Sequence, residues 1–158
     1  NTSNNNCMRT ILTLVLLSVS SLLMAQKSNI DSVNTDHSVL QAFISQLADQ
    51  DIAVDIILSQ YMNIEHPSAD IYDYLEVSLE EIRINLMTKN IADILYIPYN
   101  KMAKKDIKDI DVEGLNSNDI YFLYYKNRQM LALYLEDNKV ASFTLVANGK
   151  GKAHFVLY

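Results

Sequence analysis

The sequence predicts an α+β domain in which two to three N-terminal helices precede an antiparallel meander of four to five strands. Two observations carry this prediction. Over the first half of the domain, apolar residues recur at the spacing of one helical face. From about residue 93 they occur in short strand-like runs, separated by turn-length stretches rich in Asn, Gly and Lys. Helices that precede strands in this way favour packing of the helices on the sheet.

Residues 1–25 have the organisation of upstream sequence followed by a secretion signal. Met8-Arg9 is a short basic start, Ile11–Leu17 is an apolar run, and a small residue, Ala25, ends the stretch. We therefore expect cleavage near Ala25 and an exported protein, periplasmic or extracellular. The apolar stretch 11–25 has 15 residues and includes serines, whereas a membrane span needs roughly 20 mostly apolar residues. We expect no membrane span in the mature form.

The mature chain is acidic and lacks cysteine. Cys7 is the single cysteine and precedes the apolar run, so the sequence predicts neither a disulfide nor a lipid anchor. Arg9 is the only charge in residues 1–25, so 12 of the 13 basic and all 19 acidic residues remain, a formal charge of −7. Binding of nucleic acid needs a basic footprint. The expected partner is instead a small molecule, another protein, or a second copy of the chain.

Residues 26–37 are a polar lead-in, and residues 38–158 are predicted to form the domain. Apolar stripes predict a first helix from about Ser38 and a second helix whose stripe runs from Val54 to Met62, as a bent pair or one broken helix. Pro67 interrupts the helical pattern, and Ser68 can cap the next helix. This third and longest helix is predicted over 69–89, with Arg83 among the side chains that face water.

The strands follow this helical half. The run 94–99 contains Pro98, which favours the edge of a sheet. After a charged connector rich in lysine and aspartate, four further strands are predicted: Ile120–Lys126, Gln129–Glu136, Val140–Ala147 and Lys152–Tyr158. The short turns between them favour hairpins.

Regular pairing through such turns would place alternate residues on fixed faces of the sheet. Both faces are then largely apolar, so the second face needs a cover. Helices around a curved sheet, a second copy of the chain, or a ligand would each supply one, and on the plainest interpretation both faces are core. On the functional interpretation, the second face is a ligand pocket or dimer surface. Its candidate residues are Tyr121, Tyr125, Tyr134, Phe143 and His154.

No motif in the sequence indicates a specific chemistry. The three histidines have no metal-ligand spacing, the mature chain has no thiol, and three glycines cannot supply a glycine-rich phosphate loop. We therefore expect no metal and no cofactor, and a non-enzymatic role is the leading interpretation. The remaining catalytic alternative is a small exported acid–base enzyme in which His154 acts as general base beside a tyrosine.

The layout of helices followed by a meander resembles the cystatin-like and nuclear-transport-factor-like α+β folds over residues 38–158. The resemblance is one of architecture without a shared motif, and it implies a binding cavity between helix and sheet. The sequence thus predicts an exported binding or interaction domain that uses the Tyr/His face of the sheet or such a cavity. The alternatives are the acid–base enzyme and a homodimeric structural protein of the envelope.

Overall fold

The positions of the helices follow from the apolar stripes and from a serine cap. The computed structural model describes residues 37–149 and 151–158; the predicted signal and nearly all of the lead-in lie outside the described residues. Helix α1 includes residues 37–48, α2 is Val54–Tyr61 and α3 is Ala69–Leu86. Ser68 Oγ accepts a hydrogen bond from the Ile71 backbone N–H at 3.2 Å, as expected of an N-cap residue. Within the described residues, no helix combines the length and the hydrophobicity that a membrane crossing requires.

In the described residues, the C-terminal half contains two sheets, one short α-helix and three 3₁₀ helices. The strands and the α-helix, in chain order, are β1 Leu95–Pro98, α4 Lys104–Ile107, β2 Ile110–Asp111, β3 Ile120–Tyr125, β4 Arg128–Glu136, β5 Lys139–Ser142, β6 Leu145–Ala147 and β7 Ala153–Phe155. An antiparallel four-stranded sheet has the order β1-β3-β4-β5, and a three-stranded sheet has the order β2-β7-β6. In the latter, β2 and β7 run parallel. The predicted α+β class and the helices-first layout are confirmed, and β1 with its proline is an edge strand.

The predicted strand 140–147 is wrong as a single element, because it divides between the two sheets. Ser142 Oγ accepts from the Thr144 backbone N–H at 3.2 Å and donates to the Thr144 carbonyl at 3.3 Å. The Ser142 hydroxyl thus bonds the N–H and the carbonyl of Thr144, which a continuous strand would use to pair with its neighbour. The Phe143 backbone N–H donates to the Tyr158 hydroxyl at 3.3 Å. The chain therefore leaves the larger sheet after Ser142 and enters the smaller one at β6.

The predicted face assignment is also wrong, because the β3–β4 and β4–β5 hairpins of the four-stranded sheet each contain a register shift. These two hairpins turn through two residues at positive φ: Lys126 and Asn127 at 47° and 64°, and Asp137 and Asn138 at 50° and 59°. In the first hairpin the register changes between Leu123 and Tyr124, which leaves Met130 as an extra residue. Because of this extra residue, the residues of β4 that follow Met130 point to the face opposite to the one that regular pairing predicts.

The four-stranded sheet lies between two buried layers, which confirms that both of its faces are apolar. One layer contains apolar side chains of α1, α2 and α3 together with Leu123 and Leu133. The other contains Phe122 and Ala132, covered by Phe155 of the smaller sheet and by partly buried side chains of the segment 99–115. Elements of the same chain therefore cover both faces.

Arg83 differs from its predicted exposed position, since it is only 8% exposed. Its Nε donates to the Leu47 carbonyl at 3.0 Å and its Nη2 donates to the Ile52 carbonyl at 2.7 Å. Nη1 forms an ion pair with Glu80 at 3.0 Å. One side chain of α3 thereby satisfies carbonyls at the end of α1 and in the connection to α2.

Candidate functional site

The structure does not bring the five predicted site residues together. Tyr121 is 1% exposed and Phe143 is 9% exposed, both in the layer beneath the helices. Tyr134 pairs with Ile120 and lies in the opposite layer. His154 is exposed on the smaller sheet, and Tyr125 is half-buried at the end of β3. The register shift accounts for the separation of Tyr121 from Tyr134.

His154 lies on β7, where its register partners are Val146 and Asp111. The hydrogen bonds and ring contacts of the described chain include none from the His154 side chain. A general base requires a partner within hydrogen-bond reach of its proton path. The hydrogen bonds and ring contacts of the described residues thus do not include the predicted contact between His154 and a tyrosine.

Three tyrosine hydroxyls have raised pKa values, which keep them protonated at neutral pH. Burial raises the pKa of Tyr96 to about 12. Burial also raises the pKa of Tyr158, although hydrogen bonds from Thr144 and the Phe143 backbone oppose the shift. For Tyr134 the pKa is raised first by burial and then by the nearby Glu136 and Asp119 carboxylates. These hydroxyls can donate hydrogen bonds at neutral pH but are not bases there.

The feature with the clearest chemical character is a cleft beside Tyr125, between the C-terminal end of α3 and the β3–β4 hairpin. Its volume is about 480 Å³. We call it the Tyr125 cleft. It is lined by Asn85, Lys89, Tyr125, Lys126, Arg128, Gln129 and Met130.

Two ammonium groups of the Tyr125 cleft lie over the same aromatic ring. Lys126 Nζ is 5.2 Å from the centroid of the Tyr125 ring and Lys89 Nζ is 5.9 Å from it. These distances allow a cation–π interaction that holds both charges near the ring. Lys89 Nζ also donates to the Asn85 carbonyl and to Asn85 Oδ1, each at 2.6 Å. The cations are thus positioned by the protein itself.

The electrostatic character of the cleft is opposite to that of the chain. Lys89, Lys126 and Arg128 line it, and its lining contains no carboxylate. The ion pairs of the described residues involve only Arg83 and Lys108 as cations. In a chain with a formal net charge of −6, three cations without a carboxylate partner form a local site of positive potential. Such a site attracts anions.

Local sequence rules explain how the hairpin forms its side of this cleft. Lys126 and Asn127 occupy the two positive-φ positions of a tight turn, which places Tyr125 and Arg128 directly opposite each other. Paired residues share a face of the sheet. The register shift follows within the next two residues and leaves Met130 unpaired at the cleft wall.

Sequence reasoning identified Tyr125 but missed the cations around it. Lys126 was predicted at the end of a strand and Arg128 in the turn that follows, and their proximity along the chain was the one available signal. Lys89 lies 37 positions before Lys126, and only the packing of α3 against the hairpin brings it near. No periodicity in the sequence encodes that contact.

Two other cavities have mixed lining and a less defined chemistry. One of about 430 Å³ lies beside α2 and contains Asp55, Glu76 and Lys139. The other, of about 320 Å³, lies beside β1 and contains both Lys101 and Asp106. Within the described part of the chain, no three His, Cys, Asp or Glu side chains are grouped closely enough to hold a metal ion.

Comparisons with known proteins found no match: no family model, no curated protein and no solved structure is significantly similar to this chain.

Proposed function

We propose that this chain is an exported binding domain that recognises a small anionic ligand in the Tyr125 cleft. The observation that carries the proposal is the set of three cations, Lys89, Lys126 and Arg128, which line one cleft without a carboxylate. Two of them are held over one tyrosine ring. A concave site with a few convergent polar groups is the usual form of a small-molecule site.

The charge of the chain restricts the size of this ligand. A net charge of −6 repels long polyanions, whose charges extend beyond a local basic site. A compact anion places its charge inside the cleft, where the cations are nearest. The proposal therefore concerns a small molecule and excludes nucleic acid.

We expect the double variant K126N/R128Q to bind citrate at least about tenfold more weakly than the unchanged protein, because each lost cation removes a charge-assisted contact. Isothermal titration calorimetry at low ionic strength measures this loss. Citrate affinity should also fall with added salt, since the Debye length shortens from about 30 Å at 0.01 M to about 8 Å at 0.15 M. Asparagine is chosen at position 126 because it tolerates positive φ.

The matched control is K104Q/K105Q, which removes two positive charges from exposed positions on α4 that do not line the cleft. It should change citrate affinity less than twofold. Equal losses in the two double variants would show that net charge, and not the cleft, governs binding. Thermal unfolding of each variant verifies that the fold is kept.

Export is the second part of the proposal, and it rests on the order of basic start, apolar run and small residue in 8–25. Expressed in a bacterium with its own N-terminus, the protein should be recovered from the periplasm or medium. Intact mass spectrometry should then show a chain that begins near Gln26. Recovery of an unprocessed chain from the cytoplasm would contradict this part and leave the binding proposal unaffected.

A further inference from the structure

Helix α3 exposes large apolar side chains on the side that faces away from the core. Among the described residues, nine large hydrophobic side chains are exposed, and five of these belong to α3 or to Met87 at its C-terminal cap. Val77 and Ile84 are each 62% exposed, and Met87 is 57% exposed. A surface helix usually has one apolar stripe, which faces the core, and a polar opposite side. A second apolar stripe on α3 therefore indicates a contact surface for a partner.

The exposed apolar side chains of α3 follow one line along the helix. Val77 and Ile84 are seven residues apart, and seven residues of an α-helix are close to two turns and about 10 Å long. Tyr74 and Met87 extend this line at its two ends, because residues three apart are neighbours on a helix surface. We call these four side chains, Tyr74, Val77, Ile84 and Met87, the outer α3 face.

Tyr74 is held in place although it remains 45% exposed. Its hydroxyl forms a hydrogen bond with Thr144 Oγ1 at 3.0 Å, and its ring centroid lies 6.2 Å from that of Tyr158. A side chain that is already ordered loses little further conformational freedom when a partner covers it. Aromatic residues are common anchors of protein interfaces. One end of the outer α3 face thus has a fixed aromatic contact.

Exposed carboxylates flank the outer α3 face. Asp73 precedes Val77 by four residues and Glu81 follows it by four, so both lie next to Val77 on the helix surface. The ion pairs of the described residues include neither of these carboxylates. The whole of α3 contains five carboxylates and a single cation, Arg83, which is buried. The outer α3 face is therefore apolar along its middle and negatively charged at its edges.

These carboxylates restrict which partners can bind. A second copy that used the same face would bring its own Asp73 and Glu81 towards those of the first copy, and like charges repel. An anionic membrane surface is repelled in the same way. A cationic partner is instead attracted over a distance and gains ion pairs at the edges of the contact. The apolar and charged side chains together fit an α-helix with apolar residues on one side and Lys or Arg beside them.

We propose that the outer α3 face binds a cationic amphipathic α-helix of another protein. The apolar side of that helix covers Val77 and Ile84 and packs against the ring of Tyr74. Its Lys or Arg side chains pair with Asp73 and Glu81. This inference does not rest on the proposed anion binding, because none of these residues lines the Tyr125 cleft. The chain thus has two separate sites of opposite charge.

Fluorescence polarisation with two labelled synthetic helices tests the proposal. Each peptide has about 21 residues, which form three heptads with leucine at positions a and d. One peptide carries lysine at positions e and g, and the other carries glutamate there. The lysine peptide should bind at least tenfold more tightly than the glutamate peptide, and added salt should reduce its affinity. Equal affinities, or no binding by the lysine peptide, would overturn the proposal.

The double variant V77Q/I84Q tests the apolar contact. It should weaken binding of the lysine peptide at least tenfold, because two apolar side chains no longer become buried at the interface. Its matched control is L95Q/V146Q, which changes two exposed apolar side chains of β1 and β6 and should change the affinity less than twofold. Circular dichroism verifies that each variant keeps its fold. Similar affinities for the two double variants would remove the outer α3 face as the binding site.

The double variant D73N/E81Q tests the charges at the edges of the face. It should weaken binding of the lysine peptide roughly fivefold, since each exposed ion pair contributes only a little. The control D106N/E113Q removes two exposed carboxylates outside α3 and should change the affinity less than twofold. Equal losses in these two variants would show that net charge, and not the outer α3 face, selects the lysine peptide.

Two further results would assign the outer α3 face to a different partner and overturn the proposal. One is self-association of the unchanged protein in analytical ultracentrifugation that V77Q/I84Q abolishes. The other is binding to phosphatidylglycerol vesicles that V77Q/I84Q abolishes. Citrate affinity should be the same in V77Q/I84Q as in the unchanged protein. Absence of citrate binding with intact peptide binding would overturn the proposed function and leave this inference standing.

Discussion

Replacement of Arg83 by methionine is expected to lower the free energy of unfolding by roughly 3 kcal/mol, because two carbonyls lose a charged donor and remain largely buried. The Leu47 carbonyl lies at the end of α1 and belongs to a residue that is 0% exposed. The Ile52 carbonyl lies in the connection to α2. Urea unfolding followed by circular dichroism measures the change.

Two further variants separate the buried donors from the surface charge. Arg83→Lys should lose part of this stability, since an ammonium cannot reproduce the two separate N–H contacts in their fixed geometry. Glu80→Gln should cost under about 1 kcal/mol, because the Glu80 side chain is 49% exposed and surface ion pairs contribute little. A larger loss in Glu80→Gln than in Arg83→Met would contradict the role of Arg83 as a donor to carbonyls.

Replacement of Phe122 by alanine is expected to destabilise the protein by about 3 to 5 kcal/mol, the usual cost of removing a buried phenyl ring. Phe122 is 0% exposed and lies in the layer that faces away from α1, α2 and α3. Its ring centroid is 6.3 Å from that of Tyr99. The size of the loss measures how firmly the segment 99–115 and the smaller sheet cover that face.

Leu95→Ala on β1 is the matched control for this prediction. Leu95 belongs to the same four-stranded sheet but is 57% exposed. Its replacement should cost about 0.5 kcal/mol, as is usual for exposed positions. If chemical unfolding gave similar losses for Phe122→Ala and Leu95→Ala, the second layer would not be a true core.

The parts of the fold that depend on periodicity were predictable from sequence. The helical pattern over 69–89 identified α3, and Pro98 identified an edge strand. Features that depend on a single side chain were not predictable. Arg83 is buried because carbonyls at the end of another helix need a donor, and the strand 140–147 divides because the Ser142 hydroxyl bonds the backbone locally.

The candidate site was predictable only at Tyr125. The alternation rule placed Tyr121 and Tyr134 on one face, and it failed because the hairpin contains an extra residue at Met130. Chain composition indicated an acidic protein and gave no sign of a local basic site. Its cations come from the end of a helix and from a distant turn, and the packing that joins them is a tertiary property.

The register shifts also determine which kinds of sequence change this fold can accept. Met130 in the first hairpin and Ala141 in the second are each left without a partner. Deletion of either residue would restore regular pairing and shift the adjoining strand segment by one residue. Each side chain of that segment would then point to the opposite layer. Substitutions in the turns do not change which residues of each strand face each layer. Divergent forms of this protein should therefore vary in turn composition among residues that tolerate positive φ, while the numbers of residues in β4 and β5 stay constant.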